Sequence, residues 1–180
     1  MGLLVVAGCA TSPTSPAPPH RPALELDAWV LEGRVAMTDG QNSWQSSITW
    51  EQRGAGYRID LVGALGQGQI RIRGDEQGVV LHQGEHSFHA EEADQLLAEA
   101  TGLSLPISGL RYWLLGLATP DTPVTPVTDA QGRTRQLQQA GWLIHYLNYI
   151  QVDEFDLPQR LRAVYEPFTV QLFIRQWTLI

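Results

Sequence analysis

The sequence predicts a mainly β domain in which a highly curved antiparallel sheet wraps around helices. From Trp29 onward, most stretches alternate apolar and polar residues, and a period of two is typical of strands with one buried face. Turn residues separate these stretches closely enough for antiparallel hairpins. The period becomes helical between residues 91 and 117, after which strand-like composition returns. This order favours a curved sheet with the helices on its inner side.

Six strands are predicted before the helical insertion. In the first four, the apolar residues of each strand share one parity: Trp29, Leu31, Val35 and Met37; Trp44, Ile48 and Trp50; Tyr57, Ile59 and Leu61; Ile70 and Ile72. Turns are expected at residues 39–40, 54–56, 63–68 and 74–75, and two further strands at residues 79–83 and 87–90. We expect the shared apolar parity to line the interior of the sheet.

The insertion contains two predicted helices. Residues 91–101 read EEADQLLAEAT, with acids at the start and Gly102 after the end, as expected for a short helix. Pro106 opens the second helix, PISGLRYWLLGL, over residues 106–117. Its apolar residues recur at helical spacing: Leu110, Trp113, Leu114 and Leu117. Because this helix is broadly apolar, another element must cover it, and we expect it to plug the interior of the sheet.

The remainder of the chain is predicted to return to strands after a proline-rich loop at Pro120, Pro123 and Pro126. The predicted strands cover residues 133–139, 142–151, 160–165 and 168–179. Three acidic residues fall between the second and third of these strands: Asp153, Glu154 and Asp156. We expect them in a loop as solvated charge.

The N-terminus carries the sole cysteine. An apolar run ends in Val6-Ala7-Gly8-Cys9, which resembles the lipobox of bacterial lipoproteins. The resemblance implies that residues 1–8 are a signal peptide, that Cys9 receives diacylglycerol, and that its freed amine is acylated. Signal peptides usually span ~15–30 residues with a positive start, so we expect the natural start to lie upstream. The alternative is a disordered tail that carries a chance cysteine.

The lipidated cysteine would be joined to the fold by a tether. Residues 9–22 contain the stretch TSPTSPAPPHRP, which has no apolar periodicity and is typical of an extended linker. The folded domain is therefore expected over residues 23–180. Ala10 follows Cys9, where many inner-membrane lipoproteins have Asp, so by analogy we expect an outer-membrane protein that faces the periplasm of a Gram-negative bacterium.

Composition and motifs argue against nucleic-acid binding and catalysis. The formal net charge of -7, from 12 Lys plus Arg against 19 Asp plus Glu, lacks the basic surface that a phosphate backbone requires. No G-x-S-x-G motif is present, and Cys9 lies outside the predicted fold. The stretch GALGQGQ leads into a strand rather than a helix, so it is not a phosphate-binding loop. We expect no enzyme activity and no cofactor.

The one grouping with metal-ligand chemistry is His82, Glu85, His86 and His89. A turn at Gly84 would make His82 and His86 partners across a hairpin, whereas His89 would have the opposite strand parity. We favour a solvated hairpin over a metal site.

Apolar residues remain as the candidate binding surface. The chain has 6 Trp, 5 Tyr and 4 Phe, and a curved sheet closed by an apolar helix either packs them as a core or leaves a cavity for apolar ligands. Both alternatives stay open at this point. The candidate lining residues are Ile48, Trp50, Ile59, Leu61, Ile70, Ile72, Leu110, Trp113, Leu114, Leu117, Trp142, Ile144 and Tyr146.

Several stretches, taken in order, resemble the LolB family of outer-membrane lipoprotein receptors. They are Gly33-Arg34, Trp50, Ala64-Leu65-Gly66, residues 105–107 with the following LRYWLLGL, GWLIHYLNY from Gly141, and residues 174–177. The resemblance implies an incomplete antiparallel β-barrel of about 11 strands, closed by helices around a hydrophobic cavity for acyl chains. It also implies a monomer that accepts triacylated lipoproteins from the periplasmic carrier LolA and delivers them to the inner leaflet of the outer membrane.

The same resemblance implies a role for the loop at residues 63–68. In the family, a protruding Leu in a Leu-Gly pair acts in membrane targeting and cargo release, and Leu65-Gly66 matches it. Many members have Pro where this chain has Ala64. The flanking arginines, Arg58, Arg71 and Arg73, would meet lipid headgroups or solubilise a sheet edge.

Three other functions compete with the receptor. The soluble LolA-like carrier shares the fold, but Cys9 and the Leu65 loop favour the receptor. An anchored metal-dependent hydrolase would use the histidine grouping. A scaffold lipoprotein of the cell envelope would lack a lipid-sized cavity.

Overall fold

Eleven strands form one antiparallel sheet that does not close into a barrel. The computed structural model describes residues 23–63, 68–102, 105–122 and 124–180. The strand order across the sheet is β6-β5-β4-β3-β2-β1-β11-β10-β9-β8-β7, and among the described residues no ladder joins β6 to β7. Two helices follow the sixth strand, before the sheet resumes. The mainly β, incomplete barrel predicted from the sequence is confirmed.

The strand bounds follow the alternating pattern closely. The strands are β1 (Ala28–Thr38), β2 (Ser43–Arg53), β3 (Gly56–Gly63), β4 (Gln69–Asp75), β5 (Gly78–Gln83), β6 (His86–Ala90), β7 (Val127–Thr128), β8 (Thr134–Gln139), β9 (Trp142–Val152), β10 (Phe155–Tyr165) and β11 (Phe168–Leu179). Every neighbouring pair is antiparallel, and the chain returns after the helices so that β11 lies beside β1.

Both helices are shorter than the sequence predicts. A short 3-10 helix (Ala23–Glu25) opens the fold. Helix α1 (Ala93–Thr101) begins after Glu92, which is still extended, and ends at Gly102 in the left-handed conformation (φ 72°). Helix α2 (Ile107–Trp113) stops before the predicted end at residue 117, because the chain turns at Gly116, whose φ is 77°.

Two departures from prediction lie in the second half of the sheet. Strand β10 begins at Phe155 rather than at residue 160, so Asp156 lies in a strand and not in the expected loop. The sequence did not predict this earlier start because it contains Pro158, and proline is unusual in an inner strand. The ladder with β9 shifts register between Pro158 and Arg160, which accommodates the missing N–H. The two-residue strand β7 was not predicted either.

The shared apolar parity faces one continuous core. Its most deeply buried members include four side chains that are 0% exposed: Trp29, Leu31, Ile59 and Leu81. They belong to a single cluster that also contains buried apolar residues of both helices. At its centre, the Trp29 ring lies 5.9 Å from the ring of Trp50 and 5.3 Å from that of Trp177. Such tilted and edge-on ring pairs stabilise a core beyond the area they bury.

Gly33 lies at a β-bulge in the ladder between β1 and β11. The ladder between these strands shifts register at Glu32/Gly33, and a Cβ at residue 33 would overlap the carbonyl oxygen of Phe173. This contact is backbone, so it cannot rotate away as a side chain would. The bulge therefore requires glycine, and it fixes the register in which Arg34 faces Phe173.

We predict that Gly33→Ala lowers the free energy of unfolding by ~1–3 kcal/mol, as overpacking does elsewhere. Urea unfolding followed by Trp fluorescence measures the change. The matched control is Gly56→Ala, because a Cβ at residue 56 meets nothing closer than 3.5 Å. Equal stability of the two variants would contradict the steric reason given for Gly33.

Candidate functional site

Helix α2 covers the concave face of the sheet. Ile107, Leu110 and Trp113 point inward and are almost fully buried. Gly109 makes room for the indole of Trp113, since a Cβ at residue 109 would lie 2.7 Å from the ring. The Trp113 ring reaches that of Trp142 on β9 at 6.1 Å, which connects the helix to the far side of the sheet.

The buried side-chain amide of Gln139 holds α2 and the following loop to β8. Its Oε1 accepts hydrogen bonds from Trp113 Nε1 (3.0 Å) and from the backbone N–H of Thr119 (2.8 Å). Its Nε2 donates to the carbonyl oxygens of Thr122 (2.6 Å) and Thr119 (3.1 Å). The Tyr146 hydroxyl donates to the Trp113 carbonyl at 2.9 Å. Burial raises the pKa of Tyr146 well above its usual value, which keeps the hydroxyl protonated as a donor.

A second buried amide, Gln52, anchors the opposite end of the site. Gln52 Oε1 accepts from Trp50 Nε1 at 3.1 Å, and Gln52 Nε2 donates to the Gly54 carbonyl at 2.8 Å. Arg111 of α2 donates to the same carbonyl at 2.7 Å. The β2–β3 turn is therefore tied to the helix by a shared acceptor.

Helix α2 is capped from α1 rather than from its own N-terminus. Asp94 accepts from the Ser108 backbone N–H at 3.0 Å and from the Ser108 hydroxyl at 2.6 Å. A carboxylate at this position satisfies a free N–H of the first turn. The two helices thus form one cover over the sheet.

An open groove of about 690 Å³ lies between this cover and the sheet. Trp50, Trp113 and Trp142 form its apolar floor, and their side chains are 0%, 1% and 9% exposed. The other residues predicted to line a cavity are packed into the core: Ile48, Ile59, Leu61, Ile70, Ile72, Leu110, Leu114, Ile144 and Tyr146 are buried, and Leu117 is partly buried against them. Of the predicted lining residues, the three tryptophans are those that line this groove, and the acyl-chain role given to the whole set stays a prediction.

The rim of the groove is strongly acidic. Its carboxylates are Asp75, Glu76, Glu91, Glu92, Asp94 and Asp121. Of the residues with described positions, Arg111 is the one cation that lines it. Tyr57 lies beside this rim; burial, and secondarily the charge of Asp94, raises the pKa of Tyr57 to about 12. The mouth therefore presents negative charge around an aromatic floor.

Residues that the sequence resemblance singled out for the membrane lie partly outside the described structure. Cys9, Leu65 and Gly66 fall in residues 1–22 and 64–67 and are not described. The predicted tether also lies there. The roles given to these residues stay predictions.

The histidine hairpin has a different register from the predicted one. His82 faces Ser87 and His86 faces Gln83, so His82 and His89 share a face while His86 lies on the other. The three imidazoles are exposed on β5 and the edge strand β6. Across the described segments, no group of three or more His, Cys, Asp or Glu side chains is arranged to hold a metal ion.

Two of the three arginines near the β3–β4 loop are already paired. Asp60 accepts from Arg71 at 2.6 Å and from Arg58 at 2.7 Å. Burial works to raise the pKa of Asp60, but these two hydrogen bonds outweigh it and hold the pKa below its usual value. Strands β3 and β4 are inner strands, so the suggestion that these arginines solubilise a sheet edge is wrong. Arg73 is exposed.

Comparison with known proteins identifies the family. The profile of a family described as "Outer membrane lipoprotein LolB" matches residues 27–177. The chain belongs to the LolB family. The outer-membrane lipoprotein LolB of Nitrosococcus oceani is 36% identical over 190 residues, which cover 99% of this chain and 94% of that protein. The Pseudomonas aeruginosa PAO1 protein of the same name is 37% identical over 154 residues, which cover 85% of this chain and 75% of that protein.

A solved structure supports the fold independently of the sequence. A LolA superfamily protein from Nitrosomonas europaea superposes with a TM-score of 0.55 at 9% identity, over 87% of this chain and 88% of that chain. As a LolB family member, the protein is an outer-membrane lipoprotein of the lipoprotein localisation system. Among the residues described, neither helix has the length and apolar character needed to span a bilayer.

Sequence reasoning missed the two glutamines that anchor the site. Gln52 and Gln139 are each 2% exposed. Both share the inward parity of their strands, Gln52 with Trp50 and Gln139 with Leu137. A glutamine at an inward position beside a tryptophan that needs an acceptor for its N–H is the signal that was available.

We predict that Gln139→Leu lowers the free energy of unfolding by ~2–4 kcal/mol, because the indole N–H of Trp113 and the N–H of Thr119 lose their buried acceptor. Gln138→Leu is the matched control, since Gln138 is the exposed neighbour on the same strand. Urea unfolding compares the two. A loss no larger for Gln139→Leu than for Gln138→Leu would contradict the anchoring role.

Proposed function

We propose that this outer-membrane lipoprotein accepts triacylated lipoproteins from a LolA-like periplasmic carrier and inserts them into the inner leaflet of the outer membrane. The observation that carries the proposal is the groove floored by Trp50, Trp113 and Trp142 at the open side of an unclosed sheet. Its volume of about 690 Å³ falls in the range of sites that enclose small apolar ligands. Family membership supports the same function.

The physical task of such a receptor is to keep acyl chains out of water. Exposing one chain of ~16 carbons costs on the order of 10 kcal/mol, at ~0.8 kcal/mol per CH₂. Passage from one apolar site to another avoids this exposure. The transfer then needs no nucleotide, because differential affinity among the carrier, the receptor and the bilayer sets its direction.

Cargo chains would enter by displacing part of the cover. The groove meets α2 on one side and the loop at Thr119 and Thr122 on the other. These elements are held to the sheet through the side chains of Gln139 and Arg111 rather than by strand pairing. We propose that they shift away from Trp50 and Trp142 on the sheet when chains are loaded, with Trp113 moving as part of α2, and that the receptor acts as a monomer.

Leu65 is proposed to contact the bilayer during delivery. It follows Gly63, the last residue of β3, in the stretch that the family resemblance assigns to membrane targeting. One inserted Leu contributes ~1.5–3 kcal/mol, which permits reversible contact rather than anchoring. Lipid at Cys9 would supply the lasting anchor, and the tether at residues 9–22 would give the domain its reach.

We predict that Leu65→Glu leaves cargo acceptance intact and slows delivery to vesicles, because a carboxylate replaces the inserted side chain. The measurement loads the LolA-like carrier with a triacylated lipoprotein, adds the full chain with Cys9→Ala, and follows cargo to the receptor and then to liposomes. The same assay tests whether lipidation at Cys9 is helpful but dispensable. Unimpaired delivery by Leu65→Glu would overturn the role of Leu65, and no acceptance by the parent chain would overturn the receptor function.

We also predict that the acidic rim acts in acceptance rather than in delivery. Neutralising Glu91, Glu92 and Asp121 to Gln, Gln and Asn should slow cargo transfer from the carrier and weaken its dependence on salt, because rim charges act mainly on association. Glu154→Gln and Asp153→Asn, in the exposed β9–β10 turn, form the control. Unchanged acceptance by the triple variant would show that the carrier docks elsewhere.

A further inference from the structure

A second groove lies on the outer face of the sheet, away from the tryptophan floor. It has a volume of about 610 Å³ and crosses β3, β2, β1, β11, β10 and β9. The exposed side chains that line it belong to the outward-facing positions of these strands, which alternate with the buried core positions. Val62, Leu147 and Phe173 are its large apolar residues, and they are 36%, 62% and 40% exposed. Exposed apolar side chains gathered in one groove indicate a contact surface.

Two arginines flank the exposed phenyl ring in this groove. Arg34 on β1 and Arg160 on β10 are both direct cross-strand partners of Phe173 on β11. Directly opposed residues in a sheet hold their Cβ atoms within ~4.5–5.5 Å. The Arg160 guanidinium lies 5.2 Å from the centroid of the Phe173 ring. The three residues form one row, which we call the Arg34–Phe173–Arg160 triplet.

The triplet is a site of unpaired positive charge. Arg34 and Arg160 are exposed, and within the described residues neither forms an ion pair, in contrast to Arg58 and Arg71 at Asp60. Among the residues that the structure describes, no Asp or Glu lines the groove. The groove beneath α2 has the opposite charge, with six carboxylates and one arginine on its rim. A chain with a formal net charge of -7 therefore keeps cations free on one part of its outer face.

We propose that this outer groove binds anionic phospholipid headgroups of the membrane, with Arg34 and Arg160 on the phosphate and Phe173, Val62 and Leu147 against the acyl boundary. Guanidinium groups hold phosphate oxygens in bidentate pairs, and aromatic rings favour the interface between headgroups and chains. A lipid-anchored domain stays near a bilayer, so weak contacts are sufficient to orient it. The proposal concerns orientation on the membrane and does not depend on cargo transfer.

The outer groove adjoins the end of β3. Gly63, at the end of β3, lines the groove and leads directly into residues 64–67. Contact at the groove would bring the end of β3 to the membrane surface. The acidic rim would be repelled by the same anionic lipids and would remain free for a partner.

The test measures vesicle binding by the full chain with Cys9→Ala, produced without lipid. Flotation with phosphatidylethanolamine–phosphatidylglycerol vesicles is compared with flotation on phosphatidylcholine vesicles. We expect preference for the anionic vesicles and a loss of affinity on the order of tenfold in Arg34→Gln/Arg160→Gln. The control, Arg53→Gln/Arg135→Gln, removes the same charge from exposed positions on β2 and β8 that do not line the groove, and it should bind nearly as the parent does.

Further measurements distinguish a lipid headgroup in the groove from free phosphate and from a second copy of the chain. Inorganic phosphate should not displace the protein from anionic vesicles at equal phosphate concentration, because it lacks the apolar contact. Vesicle binding unchanged in the arginine pair, or lost equally in the control pair, would overturn the proposal. A change of oligomeric state in the arginine pair, with vesicle binding intact, would assign the groove to a second copy of the chain instead. Cargo acceptance from the carrier, measured in parallel, reports on the receptor function alone.

Discussion

The structure depends on how the concave face of an unclosed sheet is covered. A closed barrel buries its interior by strand pairing, but here β6 and β7 are left as edges and the apolar parity of the sheet faces an open side. Helix α2 supplies the cover by placing Leu110 and Trp113 into the core. Because no ladder holds the helix, its position depends on this apolar packing and on a few polar contacts, chiefly those of Gln139 and Asp94.

This arrangement suits a protein whose ligand must both enter and leave. Strand ladders that link β1 to β2 and β11 give the sheet its register and rigidity. The cover has no such cooperative pairing, and it consists of two short helices and a loop. Opening it would break a small number of hydrogen bonds and would expose the buried face of α2 together with Trp50 and Trp142 of the sheet. An acyl chain that takes the place of the cover offsets much of that exposure.

Local pattern predicted most of the sheet, because period-two alternation is a property of each strand alone. What it could not predict depends on contacts between distant strands. The inward Gln52 and Gln139 are stable because an indole N–H and loop carbonyls lie opposite them. Pro158 is tolerated because the β9–β10 ladder shifts register there. The same limit applies to the groove: the alternating pattern predicted an apolar interior, but which of its residues line the groove depends on how α2 packs against the sheet.

Charge divides the surface into two parts with different preferred partners. Carboxylates surround the mouth, while the outer groove has two arginines and no acid. Near an anionic bilayer these parts experience forces of opposite sign, so the domain would be turned as well as held. Screening confines this effect to within roughly 8 Å of the membrane at physiological salt, so the domain is oriented only on contact. A receptor of this kind can therefore collect cargo in any orientation and acquire a fixed one at the moment of delivery.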